Sequence, residues 1–210
     1  MKSHAPSASR RHLLIPLRFL CVIFFLSLGL VAAIGQTKIF AAPAGNLKDD
    51  AQWLRPAKDY ASTRYSDLGE ITSANVKQLK LAWSFSTGVN RGQEAAPLVV
   101  GSTMYVVTPY PNILYALDLS RAGAPLKWKY EPKPAAAAQG VACCDVVNRG
   151  AAYAEGKIVF NTLDVQTVAV DAHSGKEIWK TKLGDINRGE TITMAPLIVK
   201  NKVQIGRAHV

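Results

Sequence analysis

Histidine is scarce in this chain: the four in 210 residues, His4, His12, His173 and His209, lie far apart, and none combines with the three cysteines at the spacing of a zinc site. Acidic residues are missing altogether from residues 1–44, where Lys2, Arg10, Arg11, Arg18 and Lys38 supply five charges of the formal +10. Half of the excess charge therefore belongs to the N-terminal stretch. The remaining basic residues form no run and no patch interleaved with aromatics, which argues against a nucleic-acid partner. At 49% hydrophobic and 19% charged, the composition is that of a folded globular protein, and it excludes an intrinsically disordered chain.

Long apolar runs are also rare, and the one that exists is informative. Residues 1–18 are polar and basic, and Phe19 to Ile34 form an apolar run followed by small residues. This is the pattern of a secretory signal, with cleavage expected after Ala33 to Gly35 or near Ala42 to Ala44. Residues 1–44 are accordingly read as signal peptide and linker, with an uncleaved membrane anchor as the alternative. Either way the mature part occupies an oxidising compartment, and Cys21 falls outside the folded domain.

Beyond the linker the chain is repetitive. Ser73 is placed to cap a short helix through Leu79, with Val76 and Leu79 at helical spacing. From Leu81 onward β-branched and aromatic residues alternate with period two between Gly, Asn and Asp turns, which predicts strands. The stretch Ala96-Pro-Leu-Val-Val-Gly-Ser-Thr-Met-Tyr-Val-Val-Thr108 returns as Ala195-Pro-Leu-Ile-Val-Lys-Asn-Lys-Val203, with an intermediate copy at Ala152–Thr162. Tyr115-Ala-Leu-Asp118 returns as Val168-Ala-Val-Asp171, and Trp83, Trp128 and Trp179 recur 45 and 51 residues apart. That period marks propeller blades of about four short strands. A four-stranded blade cannot bury both faces alone, so neighbouring blades must stack around an axis.

The stretch Gly140-Val-Ala-Cys-Cys-Asp-Val-Val-Asn-Arg-Gly150 sets Cys143 and Cys144 side by side, six residues before Arg149. Neighbouring Cα atoms sit about 3.8 Å apart, less than the roughly 4.4–6.8 Å of a relaxed disulfide, so a bond between them closes a strained ring. So small a loop removes almost no unfolded-state entropy, which leaves rigidity or chemistry as its purpose. Two reduced thiols, or a dithiol for a soft metal, are the alternatives on the residues alone.

With its flanks, this segment resembles the disulfide-ring segment of the pyrroloquinoline quinone (PQQ) dependent alcohol dehydrogenases, the methanol dehydrogenases above all. The likeness runs from about Gln52 to Val203. It includes Asp59-Tyr-Ala-Ser-Thr-Arg-Tyr-Ser-Asp-Leu-Gly-Glu-Ile71, which resembles the opening of the mature enzymes, although Ala57 stands where a glycine is expected. It also includes Ala169-Val-Asp-Ala-His-Ser-Gly-Lys-Glu-Ile-Trp179, similar to the family's tryptophan-docking motif. There Asp171 and Gly175 make the turn, Trp179 covers the gap to the next blade with one N–H to satisfy, and His173 is a solvated turn residue. The resemblance implies an all-β fold, an incomplete eight-bladed β-propeller of which residues 45–203 form about the first three blades.

It further implies a set of cofactor contacts. Cys143 and Cys144 would close the disulfide platform under the quinone. Glu94 would bond the quinone edge and pair with Arg149, Arg149 would neutralise a PQQ carboxylate, and Thr193 would hydrogen-bond the cofactor. Taken without the resemblance, Glu94 and Arg149 are surface charges and Thr193 an ordinary strand residue. The implied activity is metal-assisted oxidation of methanol or another primary alcohol in the periplasm, with hydride passing to PQQ and electrons to a soluble cytochrome c. A homodimer of the full-length enzyme is a further expectation.

The family's catalytic aspartate and metal ligands would fall beyond Val203, so no catalytic or metal residue is assigned here and the chain alone is expected to be inactive. The ion is a lanthanide or calcium. The stretches Thr87–Pro109 and Pro134–Gly140 look closer to the lanthanide-dependent enzymes. Two alternatives stand beside this reading: a quinohaemoprotein alcohol dehydrogenase, which needs a C-x-x-C-H signature further on, and a non-enzymatic propeller scaffold, which has no use for Cys143, Cys144, Arg149 and Glu94 in this arrangement. Residues 204–210 depart from the family and are read as a non-native tail. Sequencing the source DNA past codon 204 is expected to give an open frame that continues the blades; a stop codon after Val210 in independent reads would overturn this.

Overall fold

The computed structural model describes residues 50–206 apart from Cys144, so the expected signal peptide and linker, Cys144 and the last four residues lie outside the described residues. The described chain is all-β. Strands β1 (Leu98–Val100), β2 (Thr103–Val107), β3 (Leu114–Asp118) and β4 (Leu126–Tyr130) form one antiparallel sheet in chain order. Strands β5 (Ala151–Ala154), β6 (Lys157–Thr162), β7 (Gln166–Asp171) and β8 (Glu177–Lys182) form a second. Strands β9 (Leu197–Val199) and β10 (Lys202–Gln204) pair as a hairpin. These are two four-stranded blades and the leading hairpin of another, and β10 runs one residue past the expected boundary at Val203.

The sequence repeat fixes this phase through its turns. Each leading hairpin closes with two residues, between Val100 and Thr103, Ala154 and Lys157, and Val199 and Lys202. Glu155 and Gly156 have φ of 47° and 73°, and Lys200 and Asn201 of 44° and 50°. Such doubly left-handed turns match the right-handed twist of a strand pair. In both sheets an alanine faces the tryptophan of the outer strand, Ala116 opposite Trp128 and Ala169 opposite Trp179, and the register shifts just after it. The bulge is thus part of the repeat.

Strands β3 and β7 are buried on both faces along most of their length, whereas the outer strands β4 and β8 alternate between half-buried and exposed. A strand buried on both faces needs a neighbour on each side. Between the blades, Leu98, Val107 and Leu114 of the first pack with Ile158, Phe160 and Val170 of the second. On the rim, the Trp128 ring lies directly on the turn of the next blade: a Cβ at Gly175 would come within 2.6 Å of its Cδ2 atom. Gly175 also has φ +71°, so glycine is required there twice over.

The turn of the first blade closes in the same way, the Asp118 amide donating to the Pro125 carbonyl as the Asp171 amide donates to Lys176. Ala124 stands where Gly175 does, with φ 45°, and Trp83 packs on its cluster with Tyr115 and Leu117. The Trp128 indole N–H is buried without a hydrogen-bond partner. The docking contact is therefore an apolar one.

Two local expectations differ from the structure. In place of a helix capped by Ser73 there is one 3₁₀ turn, Val76–Gln78, preceded by Asn75, whose side chain accepts from Thr72 N and donates to Glu70 O. Val76 and Leu79 are exposed, so no apolar face holds a longer helix. Among the described residues the first strand starts at Leu98, not Leu81. Leu81 to Phe85 carry the outer-strand pattern, but no strand among the described residues pairs with them, and a lone strand leaves its backbone groups unpaired.

Residues 52–60 form a strap that the sequence pattern does not reveal. Trp53 exchanges both backbone hydrogen bonds with Val99, the Leu54 carbonyl accepts from Tyr153 N (2.9 Å), and the Tyr60 hydroxyl donates to the Ile198 carbonyl (2.7 Å). By the hairpin register, Val99, Tyr153 and Ile198 are the same position in three successive leading strands. The strap is itself closed by Asp50, which pairs with Lys58 at 2.7 Å and accepts from Ser66 Oγ and Asp67 N. The Lys58 and Ser66 contacts hold the Asp50 carboxyl down at about 2, against an ordinary 3.8.

Both the docking contact and the clamp can be tested on the full-length product of the source gene. Gly175→Ala should destabilise it by about 2–4 kcal/mol, but by only about 1 kcal/mol in a Trp128→Ala background, where the left-handed backbone cost alone remains. Additive losses in urea unfolding would contradict the docking contact. Because the folded-state value of Asp50 is depressed, its contribution is complete above about pH 4 and is lost as pH falls towards 2. Asp50→Asn should therefore lower the unfolding midpoint at neutral pH and converge on wild type near pH 2; a constant offset across that range would count against the clamp.

Candidate functional site

The leading strands β1, β5 and β9 enter the sheets side by side. Ala96 bridges Gly150 in parallel, and the Arg149 amide donates to the Thr193 carbonyl at 2.9 Å. The residues just before these strands therefore come from three successive blades and meet at one level. Gly150 allows the first approach: a Cβ there would lie 3.3 Å from the Ala96 carbonyl oxygen, on a backbone with φ +118°.

This places three of the five expected site residues in contact. Arg149 Nε lies 3.3 Å from Glu94 Oε2, and an Arg149 Nη donates to Thr193 Oγ1 at 2.6 Å. Glu94 and Arg149 are each about half exposed, at 47% and 48%. They keep one face to solvent, so N–H groups of the guanidinium, which has five, remain for an anionic ligand. Because Thr193 Oγ1 already accepts from Arg149, its own proton is directed elsewhere and can be donated to that ligand.

Cys143 is exposed on the loop that leads into Arg149. The loop is pinned on both sides: Ala142 packs with the buried Ala138 of the 3₁₀ turn Ala136–Gly140 and with Val146 and Leu163, and the Tyr110 amide donates to the Val146 carbonyl. Between them, Asp145 takes a left-handed conformation with φ 70°. Cys144, the fifth expected residue, lies outside the described residues. No cluster of three or more His, Cys, Asp or Glu side chains able to hold a metal ion occurs among the described residues.

Sequence reasoning missed the buried amides behind the site. Asn148 Oδ1 accepts from Gly150 N and its Nδ2 donates to the Asn161 carbonyl, both at 2.9 Å; Asn161 Nδ2 donates to the Met194 carbonyl, again at 2.9 Å. The signal was present in the repeat. Asn161 occupies the position at which the first blade has Val107.

Consecutive antiparallel blades, docked at the rim by Trp128 on Gly175 and bringing polar groups together at the leading ends of their inner strands, define part of a β-propeller. The sequence profile of the glucose/ethanol/alcohol dehydrogenase β-propeller domain, the PQQ family, matches residues 53–208. The chain is 57% identical over 159 residues to a lanthanide-dependent methanol dehydrogenase of Methylacidiphilum fumariolicum, covering 76% of this chain and 26% of that one. It is 48% identical over 165 residues to the methanol dehydrogenase [cytochrome c] subunit 1 of Methylobacterium organophilum, with the same two coverages. Among solved structures, a europium-containing methanol dehydrogenase superposes with a TM-score of 0.75 at 56% identity, over 77% of this chain and 28% of the other. The chain belongs to the PQQ-dependent alcohol dehydrogenase family, and spans about a quarter of the length of these relatives.

Proposed function

We propose that this chain is the leading part of a periplasmic PQQ-dependent dehydrogenase that oxidises methanol or another primary alcohol and passes electrons to cytochrome c. The observation that carries the reading is the contact of Glu94, Arg149 and Thr193, delivered by three successive blades. The relatives named for methanol, cytochrome c and lanthanide dependence support it.

The residues fit the cofactor's chemistry. PQQ carries several carboxylates, and when bound with a lanthanide or calcium ion it supplies a polarised quinone carbonyl that accepts two electrons from the alcohol. Arg149 binds a carboxylate with a planar fork that Lys cannot reproduce. Glu94 holds the guanidinium from one side and Thr193 from another, which fixes its plane before the ligand arrives and lowers the entropy cost of binding. Cys143 and Cys144, were they joined as a vicinal disulfide, would supply a rigid apolar floor for the quinone ring. The chain as it stands supplies one wall of the site and is inactive alone, the proton acceptor and metal ligands coming from later blades.

The test is PQQ binding to the full-length product of the source gene, followed by methanol oxidation with La³⁺ or Ca²⁺. Wild type should bind PQQ and Arg149→Lys about ten- to a hundredfold more weakly. The PQQ-loaded protein should resist alkylation at Cys143 and Cys144 until reduced, and La³⁺ should raise activity above Ca²⁺ alone. Absence of PQQ binding by wild type rejects the reading; two alkylatable thiols in the loaded protein reject the platform; full activity with calcium and no gain from lanthanum rejects the lanthanide.

A further inference from the structure

At one buried cross-strand pair an aliphatic pair in the first blade becomes a polar pair in the second. In the first blade Val107 of β2 faces Leu114 of β3, and both lie in the apolar core. In the second, the same register position holds Asn161 of β6 facing Thr167 of β7, 0% and 2% exposed. An amide and a hydroxyl have replaced two aliphatic side chains in a strand pair whose middle is otherwise apolar, with Ile158, Val159, Phe160, Val168 and Val170. Burying such groups is costly unless their bonds are met, and asparagine is a poor strand residue, so packing alone does not account for the exchange.

Beyond the sheet ladder, the bonds of the pair lead towards the site. Thr167 Oγ1 donates to Asn161 Oδ1 at 2.8 Å, which sets the amide plane. Asn161 Nδ2 then donates across the gap between blades to the carbonyl of Met194, the residue after Thr193. The Asn161 backbone carbonyl accepts from Asn148, whose own Oδ1 accepts from Gly150 N, on either side of Arg149. The Asn161 side chain thus holds the backbone beside Thr193, and its main-chain carbonyl holds the Arg149 segment through the Asn148 side chain; Arg149 and Thr193 themselves meet through the 2.6 Å side-chain bond and the 2.9 Å backbone bond.

We propose that Asn161, oriented by Thr167, is the positioning residue that holds the Arg149 and Thr193 segments in register for the anionic ligand. It does not reach the ligand itself. This rests on the PQQ-binding reading for its ligand and on the backbone contacts alone for its mechanism.

The test transplants the pair from the first blade into the second, as Asn161→Val/Thr167→Leu, in the full-length product of the source gene. Replacing both partners by apolar groups of similar size removes the tie without leaving the pair itself half-satisfied. PQQ affinity should fall about tenfold, and amide exchange in the peptide spanning 192–195 should quicken by a similar factor, while the peptide spanning 147–150, still tied through the Asn161 main-chain carbonyl, should change less. Thr167→Val should move both readouts the same way, and Thr167→Ser, which keeps the hydroxyl, should restore them; this pair decides the matter if the double variant does not fold. Faster exchange with unchanged affinity leaves a purely structural tie and overturns the proposal, as do unchanged exchange rates or a serine variant no better than the valine one. Failure of wild type to bind PQQ would reject the functional reading instead, and the exchange rates would then judge the positioning alone.

Discussion

The close seating of one blade on the next is the contact on which the rest depends. Four short strands with both faces apolar cannot stand alone, and the structure closes the gap from both ends: the Trp128 ring on the bare backbone of Gly175 at the rim, and Gly150 against the Ala96 carbonyl near the axis. Gly175 has no room for a Cβ, and one at Gly150 would be tight against the Ala96 carbonyl on a left-handed backbone. Once both distances are fixed, the apolar side chains between them have one way to interleave, and the leading strands must arrive side by side.

The site is built by that arrival. A ligand-facing cluster drawn from a single loop would depend on the loop's own rigidity; here Glu94, Arg149 and Thr193 come from three strands already held in register by backbone bonds. The strap of residues 52–60 ties the same three strands again, at Val99, Tyr153 and Ile198. Leading strands thus bonded at their entrances and again three residues on are poorly able to shift singly, so an arginine fork can be aimed in advance.

This rigidity is also where polar groups have been admitted into the interior. The first blade keeps Val107 and Leu114 facing one another, and its next neighbour is a complete four-stranded sheet. The second blade must instead meet the backbone leading into β9, where carbonyls such as that of Met194 have no strand partner to receive. An amide at Asn161 answers that need, and a valine could not.

The sequence alone was enough for the repeat, and with it the all-β class, the blade phase, the rim tryptophans and their turn glycine. Periodic apolar residues and tight-turn chemistry are local properties, and each blade is a local unit. The five expected site residues were assigned only through the resemblance, since taken singly Glu94, Arg149 and Thr193 are ordinary polar positions in their blades. What the tertiary structure decided was everything that crosses between units. The strap, the Asp50 clamp and the grip of Asn161 on Met194 join residues far apart in the chain through backbone carbonyls and amides, which every residue carries and no side-chain pattern advertises. For the same reason Leu81 to Phe85, which carry a strand's pattern, form no strand among the described residues: a strand exists only where another supplies its hydrogen bonds.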